Sequence, residues 1–245
     1  MIKKLILVAA IAVLAGCASD DANKTAIQNF NDANYYFTKA KWDGAEKLYQ
    51  KILDNAPDSP YRIHSLLGVA DSYYMQGDFI SSAPMYARYV ELYPMDERTP
   101  HALFYEGMSY YHDMVPVKKD QTSTEKALVK FTRFVEKYPD HPATPFAKEK
   151  ILFLTDRLAE KIYTIAEYYY NITGYGSCIG RVDELLKKYP DTRFKGDALM
   201  LKARSYAGEE SYEKAKIAFL QIAFEFKGTK HGAQAEAELK ALDQK

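Results

Sequence analysis

The chain has 245 residues, of which 33 are Lys or Arg and 33 are Asp or Glu, so its formal charge at neutral pH is zero. Without a basic surplus it has no electrostatic footprint for a phosphate backbone, and nucleic acid is not an expected partner. The five histidines fall in no His-Glu-x-x-His pair and the two cysteines, Cys17 and Cys178, stand far apart, so neither a metal nor any other cofactor is expected.

The first residues read as a targeting segment. Lys3 and Lys4 precede an apolar run, Leu5 to Ala15, that is too short to span a bilayer comfortably. It ends in Leu14-Ala15-Gly16-Cys17, which resembles a bacterial lipobox. Residues 1–16 are thus expected to be a cleaved signal peptide, and residues 17–25 a tether whose first residue, Cys17, is diacylated and N-acylated. Such a multi-chain anchor holds stably, because each buried methylene adds about 0.8 kcal/mol. Residue 18 is Ala rather than the Asp that favours inner-membrane retention, so the expected location is the periplasmic leaflet of the outer membrane. With Cys17 acylated, Cys178 is the sole thiol and no intramolecular disulfide can form.

Beyond the tether one skeleton recurs five times. A small residue (Ala33, Ala70, Gly107, Ala166, Ala203) is followed three positions on by Tyr36, Tyr73, Tyr110, Tyr169 or Tyr206. A second small residue follows (Ala45, Ser82, Ala127, Cys178, Ala215), then two bulky apolar residues, as in Tyr49 with Ile52 or Phe219 with Ile222. Pro57, Pro94, Pro139 and Pro190 close the first four units. The pattern predicts an all-α fold, a tetratricopeptide-repeat superhelix of five helix-turn-helix units. Small residues let paired helices approach, the bulky ones fill the groove between them, and stacked units enclose a concave helix-lined surface suited to binding. Cys178, in a small-residue slot, is expected to be packed and inert.

The proline spacing locates two departures from the repeat. Pro57 and Pro94 stand 37 residues apart, whereas Pro94 to Pro139 is 45 and Pro139 to Pro190 is 51. The first excess falls in the polar stretch around Val117 to Thr124, between the third unit's helices. The second falls before the fourth unit, where Phe146 to Asn171 lacks Pro and Gly and carries an apolar stripe at Ile151, Leu154, Leu158, Ile162 and Ile165. That stripe predicts one long helix joining two lobes. The expected organisation is an N-terminal lobe over residues 26–140, a C-terminal lobe over residues 141–228, and a capping helix and tail over residues 229–245.

No phosphate loop, dinucleotide fingerprint or nucleophile elbow is present. The nearest approach to a catalytic cluster, Asp156 with Glu160 and Glu167, has the spacing of a solvated helix face, so the chain is not expected to be an enzyme. Transferring the tetratricopeptide register to the first helices places Phe30, Asn34 and Phe37 on the concave wall. His64, Leu67, Asp71 and Tyr74 follow from the second unit, and His101, Phe104, Met108 and Tyr111 from the third. The slots that would hold a Lys and Asn carboxylate clamp contain Phe30, Gly68 and Tyr105, so an open groove here would favour an extended apolar or aromatic segment. The same residues are equally compatible with internal packing of a tight superhelix.

Residues Asp156-Arg157-Leu158-Ala159, Ala166-Glu167-Tyr168-Tyr169, Arg181-Val182-Asp183 and Tyr189-Pro190-Asp191-Thr192 closely resemble the BamD family of lipoproteins, as does Asp120-Gln121-Thr122 in the third unit. The resemblance covers nearly the whole mature chain. It implies a scaffold of the β-barrel assembly (BAM) machinery. The C-terminal repeats would dock on the POTRA region of BamA, and the N-terminal repeats would meet the C-terminal strands of unfolded outer-membrane proteins. It also implies that accessory BAM lipoproteins are possible partners and that Arg181 engages BamA. Such strands commonly end in an aromatic residue, which suits the aromatic wall. Gly180 stands where many relatives have Asn, so a local difference in geometry is expected there, and Lys119 stands where Arg is frequent. The alternative is another periplasmic tetratricopeptide lipoprotein, one that coordinates envelope constriction or cell-wall synthesis.

Overall fold

The computed structural model describes residues 25–243, so the signal segment, Cys17 and nearly all of the tether lie outside the described residues. Within them there are eleven α-helices and no strand. They fall into two compact units, one ending at Asp113 and the other beginning at Met114. The division lies just ahead of the polar insertion of the third repeat, whose first helix belongs to one unit and whose second belongs to the other.

The first unit contains α1 (Ala26–Thr38), α2 (Trp42–Asn55), α3 (Arg62–Gln76), α4 (Phe79–Leu92) and α5 (Thr99–His112). Thr25 opens α1 with a capping box: its hydroxyl accepts from the Gln28 amide while the Gln28 side chain accepts from the Thr25 N–H. The small residues Ala33, Ala45, Ala70 and Ser82 have no exposed surface, and Tyr49, Ile52, Tyr86 and Tyr89 fill the space they leave. Burying each such bulky side chain contributes roughly 1.5–3 kcal/mol.

The second unit contains α6 (Thr122–Lys137), the 28-residue α7 (Thr144–Asn171), α8 (Tyr175–Lys188), α9 (Lys195–Gly208), α10 (Tyr212–Glu225) and α11 (Lys230–Leu242). Ala159 and Ala166 of α7 share a core with Cys178, Val182 and Leu185 of α8 and with Ala198 and Leu201 of α9. Cys178 is fully buried there, and burial pushes its thiol pKa up, which keeps it protonated. Ala235 and Leu242 of α11 close a second core around Phe219 and Ile222. Helix α8 runs without interruption through Gly180, where an added Cβ would meet open space, so glycine brings no change of local geometry.

A further regularity appears only in three dimensions. Seven residues after the first small residue of four units, the chain turns through the left-handed region, at Ala40 (φ 55°), Gly77 (φ 78°), Thr173 (φ 60°) and Glu210 (φ 59°). Only one of these is glycine, and for the β-branched Thr173 the conformation carries a steric cost of about 1–2 kcal/mol. Thr173→Gly is therefore expected to stabilise the protein by about 1 kcal/mol after the entropic cost of glycine. The check is a higher urea midpoint at unchanged slope.

A second regularity sits two residues after the first small residue. Ser72, Ser109 and Ser205 are buried there, and each hydroxyl donates to the carbonyl four residues back, at 2.7, 2.7 and 2.8 Å. In the first and fourth units the slot holds Tyr35 and Tyr168, 57% and 60% exposed. Where the slot is buried it faces the second helix of the preceding repeat, as in the 2.7 Å hydrogen bond between the Ser82 and Ser109 hydroxyls. An exposed tyrosine marks a slot that no preceding helix covers.

Candidate binding surfaces

In the second unit the motif residues of distant segments converge on α7. The Gln121 amide nitrogen lies 3.0–3.3 Å from the carbonyls of Pro116, Val117, Lys119 and Asp120, so its two N–H groups tie the insertion into a knot. The Gln121 side-chain oxygen accepts from Thr124, and Asp120 accepts from the Thr122 N–H, so the start of α6 is fixed to the same knot. From α7, Arg157 donates to the Val115 carbonyl and Lys161 to the Lys119 carbonyl at 3.1 Å. One step before Arg157, Asp156 Oδ1 accepts from the Thr192 hydroxyl at 2.7 Å and from the Arg193 N–H at 2.9 Å. Leu158 and Ala159 point into the core. The tetrad Asp156 to Ala159 thus faces the insertion, the 189–194 turn and the helical core at once. This corrects the expectation that Asp156 lies on a solvated face: it is a structural acceptor. Glu160 lies 3.7 Å from Arg193, and Glu167 is exposed.

In the first unit the aromatic wall divides. Phe30, Asn34 and Phe37 from α1, with His64, Leu67 and Asp71 from α3, line one cavity of about 260 Å³. Tyr49 reaches it from α2 because Gly68 lacks a Cβ, which would fall 2.6 Å from the Tyr49 ring. The Tyr49 hydroxyl donates to Asn34 at 2.5 Å, and Phe30 stacks on Tyr61 at 5.0 Å between centroids. Burial, with the Asp71 charge second, pushes the Tyr49 phenol up to about 12. Burial, followed by the positive charge of Arg98, pushes the His64 imidazole down.

Tyr74 and His101 lie in an adjoining aromatic cluster. Tyr74 meets Tyr105 edge-on at 4.9 Å and Phe79 at 5.4 Å, while His101 lies 4.5 Å from Tyr105. His101 Nε2 and the Tyr86 hydroxyl both approach Asp71 Oδ1, at 2.9 and 2.6 Å. Phe104, Met108 and Tyr111, further along α5, are half-buried. The sequence signal for Tyr49 was Gly68, a glycine inside a helix, whose meaning depends on the neighbouring helix.

In the second unit Arg181 is exposed on α8. It donates to Glu184 at 2.7 Å, and Glu184 also accepts from Lys188, an arrangement that holds the Glu184 carboxyl below its usual range. The last repeat carries a groove of about 620 Å³ floored by Leu199 and Ile222 and bordered by Tyr206, Lys214 and Phe224. On α10 beside it, Ile217, Leu220 and Phe224 are 57%, 58% and 88% exposed, an apolar stripe at helical spacing.

Residues 22–221 match the family model YfiO, described as an outer membrane lipoprotein. Among curated relatives, the outer membrane protein assembly factor BamD of Caulobacter vibrioides is 23% identical over 224 residues, covering 89% of this chain and 73% of the relative. The protein of the same name from Vibrio cholerae is 23% identical, covering 80% of this chain and 87% of the relative. Among solved structures, a tetratricopeptide repeat protein from Parabacteroides merdae aligns over 89% of this chain at 14% identity and a TM-score of 0.39.

Proposed function

Because the chain belongs to the YfiO family of outer membrane lipoproteins, we propose that it is a non-catalytic scaffold for the assembly of β-barrel proteins into the outer membrane. The observation that carries this reading is the extent of the family match, which includes the insertion, the α7 tetrad and the 189–194 turn that those segments build together. In this reading Cys17 anchors the protein in the periplasmic leaflet. The C-terminal repeats dock the POTRA region of BamA, and the N-terminal repeats receive C-terminal strands of unfolded barrels. The functional lobes of this reading are residues 26–140 and 141–228, with residues 229–245 as the cap, a boundary that falls after α6 rather than at the compact-unit division after Asp113. Accessory BAM lipoproteins would add to the same assembly.

Two features support the docking role. The stripe Ile217, Leu220 and Phe224 is apolar surface of the kind that marks interaction sites. Arg181 can exchange its intrahelical partner Glu184 for a carboxylate of BamA, which a guanidinium can bind bidentately. The test is recovery of BamA with the native lipidated protein from detergent-solubilised membranes. Its absence, under conditions that preserve the barrel complex, overturns the reading. Depletion that caused division defects while barrels assembled normally would point instead to a lipoprotein of envelope constriction. Arg181→Glu is expected to cut co-purified BamA by roughly tenfold while leaving the fold intact, and Arg181→Lys to give an intermediate recovery.

A further inference from the structure

The N-terminal cavity sets a carboxylate among aromatic walls, a group that an apolar subsite would not need. Its walls present the rings of Phe30, Phe37 and Tyr49, and its lining includes the carboxylate of Asp71. Asp71 Oδ1 is engaged by Tyr86 and His101, whereas Oδ2 has no hydrogen-bond partner among the described residues. No lysine or arginine lines the cavity. Arg98, which stands beside His64, is held by Asp96 through two hydrogen bonds of 2.9 Å. The Asp71 charge is therefore opposed by no resident ammonium or guanidinium, and it lies among π faces.

We infer that this cavity is a cation-accepting subsite that takes a lysine or arginine side chain of an extended polypeptide. The inference deepens the proposed substrate role of the N-terminal repeats and rests on it. An aromatic or aliphatic occupant would desolvate the Asp71 carboxylate without offering its open oxygen a donor, which is costly. A basic side chain supplies a charge-assisted hydrogen bond to that oxygen, lays its apolar stem along the rings and gains cation–π attraction from them. At about 260 Å³ the cavity lies just under the roughly 300–1,000 Å³ of drug-sized sites, a scale suited to one long side chain. The substrate class is thus an unfolded segment with a basic residue next to its aromatic ones.

The experiment uses the full mature chain in detergent and three fluorescent nonapeptides of one aromatic-rich sequence, with Arg, citrulline or norleucine at the central position. The Arg peptide is expected to bind about tenfold more tightly than either neutral analogue, and the margin should shrink as salt rises. Asp71→Asn, which keeps an acceptor for Tyr86 and His101, should abolish the margin without weakening the norleucine peptide. Phe30→Leu should reduce the margin and provides a second test that leaves the Asp71 hydrogen bonds untouched. Equal binding of the three peptides by the wild-type chain, or a margin that survives Asp71→Asn, overturns the subsite while the substrate role stands. Binding of none of the peptides overturns both.

Discussion

Asp156→Ala is expected to lower stability by about 3 kcal/mol, more than a single half-exposed carboxylate would ordinarily contribute. The carboxylate accepts two hydrogen bonds from a turn some 36 residues away, and hydrogen bonds to a charged group contribute about 1.5–3 kcal/mol each. Thr192 is only 4% exposed, so its hydroxyl would be left without an acceptor in a place water reaches poorly. The longer approach of Arg193, at 3.9 Å and largely exposed, adds little. The turn also positions Phe194, which stacks on Tyr163 at 5.5 Å and precedes α9, so its loosening should spread into the C-terminal core. Urea denaturation gives the loss directly. Thr192→Val should cost less, because Asp156 keeps the Arg193 N–H, and the double variant should be less destabilised than the sum of the two singles, as expected of a contacting pair. A midpoint for Asp156→Ala near that of the wild type would show that the turn holds without the carboxylate.

The same residue shows where sequence reading stops. The paired slots of the repeats were legible because packing of one helix against the next recurs at a fixed period, and a recurrent constraint leaves a recurrent residue type. Ala33, Ala70, Ala166 and Ala203 are identical because each meets a neighbouring helix at the same height. The left-handed turn seven residues later also recurs, but it was hidden, since backbone conformation constrains residue type only when the steric cost is not tolerated. Ala40, Thr173 and Glu210 tolerate it. Asp156 and Gln121 were hidden for another reason. A polar residue on a helix face or in a polar loop has the same local pattern whether it faces water or a distant turn, and only the partner distinguishes the two cases. The length of α7 was plain from its apolar stripe, whereas the three directions in which its tetrad points were not. In the cavity, the first-helix members followed from register, while Tyr49 entered from the second helix through a gap that a single glycine provides.

Tyr86→Ala is expected to be the costliest single change near that cavity, at about 4 kcal/mol, whereas Tyr86→Phe should cost about 1 kcal/mol. The ring is 1% exposed and lies at centroid distances of 6.0, 6.2 and 6.4 Å from Tyr105, His101 and Tyr74, so truncation leaves a void bounded by aromatic groups that cannot all collapse into it. Burial first and the Asp71 charge second raise the phenol's pKa, so it remains a hydrogen-bond donor to Asp71 throughout the neutral range. Tyr86→Phe preserves the packing and removes only that donor, which separates the two contributions. It also removes one donor from Asp71 Oδ1 and leaves His101 alone there, so the carboxylate presents a more negative potential to the cavity. Stability and recognition should therefore move in opposite directions in Tyr86→Phe: a slightly lower urea midpoint, together with binding of the arginine nonapeptide at least as tight as wild type. Tyr86→Ala should lose both, because α3, which carries Asp71, loses the side chain that Asp71 and Tyr74 pack and hydrogen-bond against.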